Sequence, residues 1–142
     1  MNLLSPYLLA VIAGWVVAQG AKYVIKVIQT GDVSHVRQLY LSGNMPSAHA
    51  TSVVSLLVVI GILDGPGSGL FALASLFAAI VMYDAFMVRR SSGEQGKAIQ
   101  ALIKESKSQV EMPRAAKGHT PLEVLVGGGL GAVIGVVVVL AT

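Results

Sequence analysis

Residues 47–88, SAHATSVVSLLVVIGILDGPGSGLFALASLFAAIVMYDAFMV, contain two apolar runs separated by Asp64-Gly65-Pro66-Gly67. Because proline and glycine together break a helix and supply a tight reversal, this tetrapeptide predicts a turn. A membrane-spanning helix needs roughly 20 apolar residues, and about 17 are tolerated. The stretch therefore predicts two spanning helices joined by a turn, over about 47–63 and 68–88.

Two more apolar runs complete a set of four. One covers about residues 3–28, interrupted in its second half by Gln19 and two lysines, and the other covers about residues 121–141. Hydrophobic residues make up 54% of the chain and charged residues only 12%, whereas a typical soluble domain carries about 25% charged residues. We therefore expect one membrane-embedded domain over residues 1–142, an all-α polytopic bundle with four transmembrane helices.

The composition also excludes several classes of protein. The chain has no cysteine, which excludes a disulfide-stapled scaffold, a thiol catalyst and a cysteine metal site. Apolar runs recur up to the C-terminus and the N-terminus lacks a basic leader, which argues against a signal peptide on a soluble body. We expect an integral protein of the bacterial inner membrane or an equivalent membrane, surrounded by membrane lipids and without a nucleic-acid partner.

Two polar stretches, residues 29–46 and 89–120, separate the four runs and, with four passes, fall on one side of the membrane. All lysines and arginines belong to that side, so the positive-inside rule places both loops in the cytoplasm and both termini outside. The bias persists in the seven cations that remain when Lys22, Arg89 and Arg90 are set aside as candidate site residues. The ten cations are Lys22, Lys26, Arg37, Arg89, Arg90, Lys97, Lys104, Lys107, Arg114 and Lys117.

The longer loop carries a helical signal of its own. Ile99, Leu102 and Ile103 recur at helical spacing among charged residues between positions 94 and 107. This pattern predicts a short interfacial helix between the third and fourth transmembrane helices. A solvated helix with a weak apolar stripe fits the same residues equally well.

Ionisable side chains inside spanning helices cost at least about 2.5 kcal/mol at the membrane centre, so each needs a partner or a function. Lys22 lies late in the first helix, where a lone lysine could also snorkel to the interface. Asp84 lies near the end of the third helix, with Arg89 and Arg90 five and six residues further on. We expect a salt link from Asp84 to one of these arginines, which would orient its guanidinium.

The second predicted helix begins with Asn44-Met45-Pro46-Ser47-Ala48-His49. Ser47 is well placed as an N-cap, so a capped helix with a half-buried histidine is one interpretation. A helix N-terminus also presents free N–H groups to an anion, and Ser47 adds a hydroxyl donor. In this second interpretation His49 faces the bound anion.

The fourth helix begins in the same manner, at Gly118-His119-Thr120-Pro121-Leu122-Glu123. Pro121 suits the first turn of a helix. His119 and Glu123 are four residues apart, so the carboxylate can accept a hydrogen bond from one imidazole nitrogen and leave the other nucleophilic. With few ligands beyond His35, His49 and His119, and with cations nearby, a metal site ranks well below an anion site.

The four polar clusters converge at one face of the membrane in the predicted topology. Together they resemble the type 2 phosphatidic acid phosphatase superfamily, which includes vanadium haloperoxidases, and most closely its short divergent branch. The residues that carry this resemblance span about Gln19 to Gly127. They are Ala18-Gln19 with Lys22; Ser42-Gly43 and Met45 to His49; Tyr83-Asp84-Ala85, Val88-Arg89-Arg90 and Gly93-Glu94-Gln95; and Gly118 to Val124.

Two departures from the family pattern bear on activity. The superfamily's third motif ends in aspartate and has its arginine shortly before the histidine, whereas this chain has Glu123 and the distant pair Arg89-Arg90. Within the divergent branch, the position of Ala48 is often serine and that of Met87 often glycine. These changes concern the efficiency of the site more than its assignment.

The resemblance implies a lipid phosphatase that acts on a phosphomonoester or diphosphate lipid, such as phosphatidylglycerophosphate, phosphatidate or a polyprenyl phosphate. Lys22, Ser47, Arg89 and Arg90 would bind the phosphoryl oxygens, with Asp84 and Gln95 in support. His119 would form a phosphohistidine beside Glu123, and His49 would act as general acid and base. No metal or cofactor is implied, although vanadate or phosphate would occupy the same site.

Two other functions remain open. A haloperoxidase would use the same anion cradle, but it needs soluble access for peroxide and halide. A non-catalytic membrane scaffold or lipid-phosphate-binding protein would retain the site without turnover. Gly127, Gly131 and Gly135 follow at four-residue spacing and permit close helix approach, either within the bundle or in a homodimer.

Overall fold

A computed structural model describes residues 5–34, 45–115 and 117–142. These parts of the chain are helical and contain no strand, which confirms the all-α prediction. The third and fourth helices are joined by a π-helical segment. The elements are α1 (Pro6–Thr30), α2 (Ala48–Leu63), α3 (Gly69–Tyr83), the π-helical segment (Asp84–Val88), α4 (Arg89–Glu105) and α5 (Pro121–Ala141).

Local capping interactions explain where the apolar helices begin and end. Ser5 Oγ accepts a hydrogen bond from Leu8 N at 3.2 Å, just before Pro6 at the first turn of α1. The predicted turn lies between α2 and α3, where Gly65 has a positive φ of 85° that favours glycine. Ser68 then caps α3 by accepting from Phe71 N at 3.1 Å.

The sequence predicted a third helix that ends at about Val88, but the helix does not end there. It continues through the π-helical segment into α4 and ends at Glu105, so Gly69–Glu105 is one helical stretch of 37 residues. The prediction relied on the loss of apolar residues at Arg89, but a polar sequence does not end a helix unless a cap or breaker is present. α4 covers most of the predicted interfacial helix, and its location at the interface remains a prediction.

α2 lies at the centre of the bundle, in contact with α1, α3 and α5. Its closest approach is to α5, where glycines leave room for the α2 backbone. A Cβ added to Gly127 would lie 2.7 Å from Ser47 O, and one added to Gly135 would lie 2.7 Å from Ser55 O. The glycine face of α5, which includes Gly131, is thus covered within the bundle. A homodimer through these glycines would require α2 to leave.

Hydrogen bonds and an apolar cluster hold together the end of the bundle that lies far from the polar clusters. Tyr7 OH donates to Asp64 Oδ2 at 2.7 Å, which joins the start of α1 to the turn between α2 and α3. Ala10, Val59 and Val138 pack together near the same end. The start of α1, the end of α2 and the end of α5 therefore lie together, in agreement with the predicted arrangement of the helices.

The surface of the bundle is rich in large apolar side chains. Trp15, Leu73, Phe77 and Leu140 are all exposed, with Leu140 82% accessible. Three helical stretches, Pro6–Thr30, Gly69–Glu105 and Pro121–Ala141, are long and apolar enough to cross a membrane. α2 has 16 residues, or about 24 Å at the usual helical rise. The chain is an integral membrane protein, and the number of passes remains a prediction.

Candidate phosphate site

Two backbone hydrogen bonds bring the polar helix ends together. His119 N donates to Ala85 O at 3.1 Å, and Ser47 N donates to Glu123 O at 3.3 Å. The first joins the segment before α5 to the π-helical segment, and the second joins the first turn of α5 to the N-cap of α2. Because backbone groups make both contacts, the position of His119 is fixed independently of its side chain.

The π-helical segment explains why the Ala85 carbonyl is available to His119. In an α-helix the amide of Arg89 would donate to Ala85 O, four residues earlier, but here it donates to Asp84 O, five residues earlier. The wider turn also aligns residues five positions apart. Arg89 Nε lies 3.0 Å from Asp84 Oδ2, which confirms the predicted salt link.

His119 and Glu123 form the predicted pair. His119 Nδ1 lies 3.3 Å from Glu123 Oε2, so a proton on Nδ1 would be shared with the carboxylate and Nε2 would carry the free lone pair. Glu123 Oε2 also accepts from Thr120 N at 2.9 Å, while Thr120 Oγ1 accepts from Glu123 N at 3.3 Å. This reciprocal capping box fixes the carboxylate at the start of α5.

The environment of His119 favours its neutral form. The residue is only 4% exposed, and burial lowers the pKa of His119 below the usual value of 6.5. The hydrogen bond and the charge of Glu123 oppose this effect, while Lys22 and His49 add to it. A neutral imidazole near pH 7 retains the lone pair that a nucleophile or base requires.

The two histidines share one chamber with a cation. A cavity of about 220 Å³ lies between α2, the end of α3 and the segment before α5. The polar side chains of His49, Asp84, Arg89 and His119 line it. Arg89 uses Nε for Asp84, which leaves the terminal guanidinium nitrogens as donors to an anion in the chamber.

Lys22 is buried beside this chamber and does not snorkel to the surface. It is 6% exposed and interacts electrostatically with Glu123, His49 and His119. With Met45 and Glu123 it also lines a separate cavity of about 230 Å³. Its charge thus contributes to the field at both histidines.

A larger, more open cavity lies on the other side of His119. It has a volume of about 550 Å³, and Arg90, Lys97 and Lys117 line it together with Glu94. Arg90 Nε lies 3.2 Å from Glu94 Oε1. Arg90 therefore faces the approach to His119, and Arg89 is the arginine in the chamber with both histidines.

Two predicted site residues, Ser47 and Gln95, line neither the chamber nor the two cavities next to it. Ser47 is fully buried at the crossing of α2 and α5, and its Oγ accepts from Ala50 N at 3.4 Å. This geometry fits the capping interpretation of Ser47 and positions the first turn of α2, which carries His49. Gln95 is exposed on a different face of α4, where it donates to Ser91 Oγ at 3.2 Å.

Ala48 and Met87, two positions that depart from the pattern of the divergent branch, lie in different parts of the structure. Met87 lies with Gln95 in a surface pocket away from both histidines, so it does not narrow the chamber. Ala48 lines an apolar groove next to His49.

Several residues quoted from the sequence lie outside the described parts of the chain, namely His35, Arg37, Ser42, Gly43 and Asn44.

Sequence reasoning missed two contributors to the site. The first is Thr120, whose spacing from Glu123 is that of a capping box, a signal that the sequence does contain. The Ala85 carbonyl has no comparable signal, because it acts through a backbone atom that a π-turn exposes.

Within the described ranges, no three His, Asp or Glu side chains are grouped as a metal site would require. The groups that do converge in the chamber suit an anion.

Comparisons with known proteins identify a relative and a family. The chain is 35% identical over 108 residues to the uncharacterized membrane protein YuiD of Bacillus subtilis (strain 168), which covers 66% of this chain and 68% of that protein. No solved structure matches the chain at a significant level. The sequence profile of the divergent PAP2 family matches residues 3–134. The chain therefore belongs to the divergent PAP2 family.

Proposed function

We propose that the chain is an integral-membrane phosphatase that hydrolyses a phosphomonoester or diphosphate lipid through a phosphohistidine intermediate. The observation that carries this proposal is the chamber in which His119, backed by Glu123, faces the same space as His49 and Arg89. Its nucleophile, proton donor and anion-binding cation are those that phosphoryl transfer requires.

In the first half-reaction, His119 Nε2 attacks phosphorus as the bond from phosphorus to the leaving oxygen breaks. Protonated His49 gives its proton to that oxygen, so the product is an alcohol when the substrate is a phosphomonoester and a lipid monophosphate when it is a diphosphate. Glu123 stabilises the imidazolium that develops on His119. Arg89 and Lys22 offset the charge on the non-bridging oxygens, and Arg90 attracts the anion toward the chamber.

In the second half-reaction, water attacks phosphorus and the bond from phosphorus to His119 Nε2 breaks. His49 accepts the proton from water, and inorganic phosphate leaves. His119 returns to its neutral state, which its buried position favours. Ser47 has a structural part in this scheme, since it caps the helix that carries His49.

The lipid character of the substrate follows from the surroundings of the chamber. The site lies at the ends of apolar helices whose outer surfaces expose large apolar side chains. A phosphate at the headgroup level can reach it while the rest of the lipid stays in the bilayer. With the predicted orientation, the substrate comes from the cytoplasmic leaflet.

Purified protein and a His119→Ala variant should be compared in a phosphate-release assay on lipid phosphates in mixed micelles. We expect the substitution to reduce kcat by roughly 10³-fold or more, because no other group takes over the nucleophilic step. Orthovanadate should inhibit the unsubstituted protein, since it occupies the site of the transferred phosphoryl group.

Ser91→Ala provides a matched control on the exposed face of α4, away from the chamber, and should leave the rate unchanged. Equal rates for the His119→Ala and unsubstituted proteins would contradict the mechanism. Lipid-phosphate binding without phosphate release would instead support a non-catalytic binding protein.

A further inference from the structure

An apolar groove leads from the lipid-facing surface to the chamber. α1 and α3 both pack against α2 but make little or no contact with each other, so a gap of about 410 Å³ remains over the outer face of α2. Trp15 and Phe77, at its sides, are 49% and 55% exposed. The apolar wall consists of Val11, Ile12, Trp15, Val53, Phe77 and Val81.

The groove and the chamber are adjacent. His49 and Val81 line both of them, so a molecule in the groove that extends past the His49 side chain would enter the space before His119. One end of this path is apolar and open to lipid, while the other end is lined by Arg89, which is paired with Asp84, and His49 there interacts electrostatically with Lys22. That division matches a molecule with a hydrocarbon chain and an anionic end.

The direction of the reaction assigns the groove to the leaving group. In an in-line displacement the attacking and leaving atoms lie on opposite sides of phosphorus. If His119 attacks and His49 protonates the leaving oxygen, the organic part of the substrate must lie on the His49 side. The groove starts at His49, which is where that part of the substrate emerges.

The wall of the groove next to His49 has few hydrogen-bond donors or acceptors for a polar group. Beyond the histidine, only Trp15 and Ser52 among the lining residues carry a polar side-chain atom, and the Ser52 hydroxyl is buried without a hydrogen-bond partner among the described residues. An ester carbonyl placed here would lose its hydrogen bonds to water without gaining equivalent ones. A methylene chain that begins directly after the leaving oxygen would lose none.

We propose that the substrate is the monophosphate of a single long-chain alcohol, such as an alkyl or isoprenoid alcohol, and not a diacylglycerol phosphate. The hydrocarbon chain occupies the groove between α1, α2 and α3. This inference rests on the proposed phosphatase function and narrows its substrate class.

The first test compares two lipids and one soluble ester in the same mixed micelles. The lipids are a long-chain isoprenoid monophosphate and a dioleoyl phosphatidate at equal surface fraction, and p-nitrophenyl phosphate reports on the chamber alone. We expect kcat/KM for the single-chain lipid to exceed that for phosphatidate by at least about tenfold. A preference for phosphatidate would overturn the inference.

The second test fills the groove. Val53→Phe adds a ring to the α2 wall, and Val133→Phe places the same change on the exposed surface of α5, where Val133 is 62% accessible. We expect Val53→Phe to lower kcat/KM for the isoprenoid phosphate by about tenfold, with less than about twofold change for p-nitrophenyl phosphate. Val133→Phe should change neither rate. Equal effects of the two variants would contradict a tail in the groove.

A third pair of variants addresses the polar atoms of the wall. Trp15→Phe and Ser52→Ala remove donors that an ester oxygen could use, and neither should alter the ratio of the two lipid rates. A selective loss on phosphatidate would show that the groove binds a glycerolipid. Absence of phosphate release from all three substrates would refute the phosphatase function itself, which separates that failure from a wrong tail assignment.

Discussion

Glu123 Oε2 interacts with two partners at once, the backbone amide of Thr120 and the imidazole of His119. The capping interaction holds the carboxylate still, and the carboxylate in turn holds the ring. A glutamate in this position therefore need not weaken the site, although the superfamily pattern has aspartate there. The longer side chain suits both contacts, since glutamate or glutamine is the residue that completes a capping box.

Replacement of Glu123 by glutamine tests this double role. The amide can still complete the capping box, so we expect the fold to be retained, while the loss of charge should lower kcat by roughly 10²-fold or more. Glu123 opposes the effect of burial on His119, so its loss should lower the pKa of His119 further. The acidic limb of kcat/KM, expected below pH 6.5 in the unsubstituted protein, should move to still lower pH.

Thr120→Ala supplies the comparison for this experiment. It removes the cap hydroxyl but retains the pair of His119 and Glu123, so we expect a loss of about 0.5–2 kcal/mol in stability without displacement of the acidic limb. Thermal unfolding in detergent and pH profiles of phosphate release provide the two measurements. Equal displacement in both variants would argue that helix capping, and not charge, controls His119.

Among single residues, those with side-chain chemistry could be predicted and those with backbone roles could not. His119 with Glu123 was accessible because helical spacing fixes which side chains meet. A link from Asp84 to one of two nearby arginines was also expected, but the π-turn decides that Arg89 makes it. Ser47 illustrates the limit of such reasoning. Its position as a cap was evident, but whether its hydroxyl faces an anion or the protein interior depends on how α5 packs across it.

At the level of elements, the crossing of α2 and α5 depends on the absence of side chains. A Cβ on Gly131 would overlap Thr51 O and would lie 3.1 Å from Ser55 N. We expect Gly131→Ala to lower the stability of the protein by about 1–3 kcal/mol, because the two helices must separate. Thermal unfolding in a mild detergent measures this change.

Gly129→Ala is the matched control on the same helix, since no atom lies within 4 Å of its added Cβ. Alanine favours the helical backbone over glycine, so this variant should be neutral or slightly stabilising. If both variants destabilise equally, loss of close packing at Gly131 is not the cause.

Elements whose ends carry chemical markers were predictable, and the α3–α4 junction was not. Proline, glycine and capping serines marked the turn at residues 64–67 and the start of α3. No such residue stands between Tyr83 and Arg89, and the π-turn arises in a sequence that could also have formed regular α-helix. The change from apolar to polar residues at Arg89 indicated that the chain leaves the membrane there, but the helix continues across that boundary.

For the whole molecule, the predicted orientation can be tested without background labelling because the chain has no cysteine. Ser106→Cys lies just after α4 and Gly67→Cys lies in the turn before α3. We expect a membrane-impermeant maleimide to label Gly67→Cys in intact cells, and Ser106→Cys only after the membrane is opened. The reverse pattern would place the site outside, and labelling of both from outside would contradict four passes.

The convergence of four helix ends was predictable at this scale, because alternating passes across a bilayer leave little choice of which ends meet. The shape of the cavities was not. The groove over α2 exists because α1 and α3 pack on α2 from two sides without closing over it. Helix spans read from hydropathy contain no information about lateral placement, so a lipid-accessible gap cannot be inferred from them.

Because of the π-turn, the geometry of this site depends on the number of residues in the segment and not only on their identity. A π-turn amounts to one residue inserted into an α-helix, and each α-helical residue accounts for a rotation of about 100°. Deletion of one residue between Ala85 and Val88 would restore the α-helix, remove the free carbonyl that holds His119, and turn the whole of α4 about its axis. A change in chain length by one codon would therefore dismantle this arrangement in a single step.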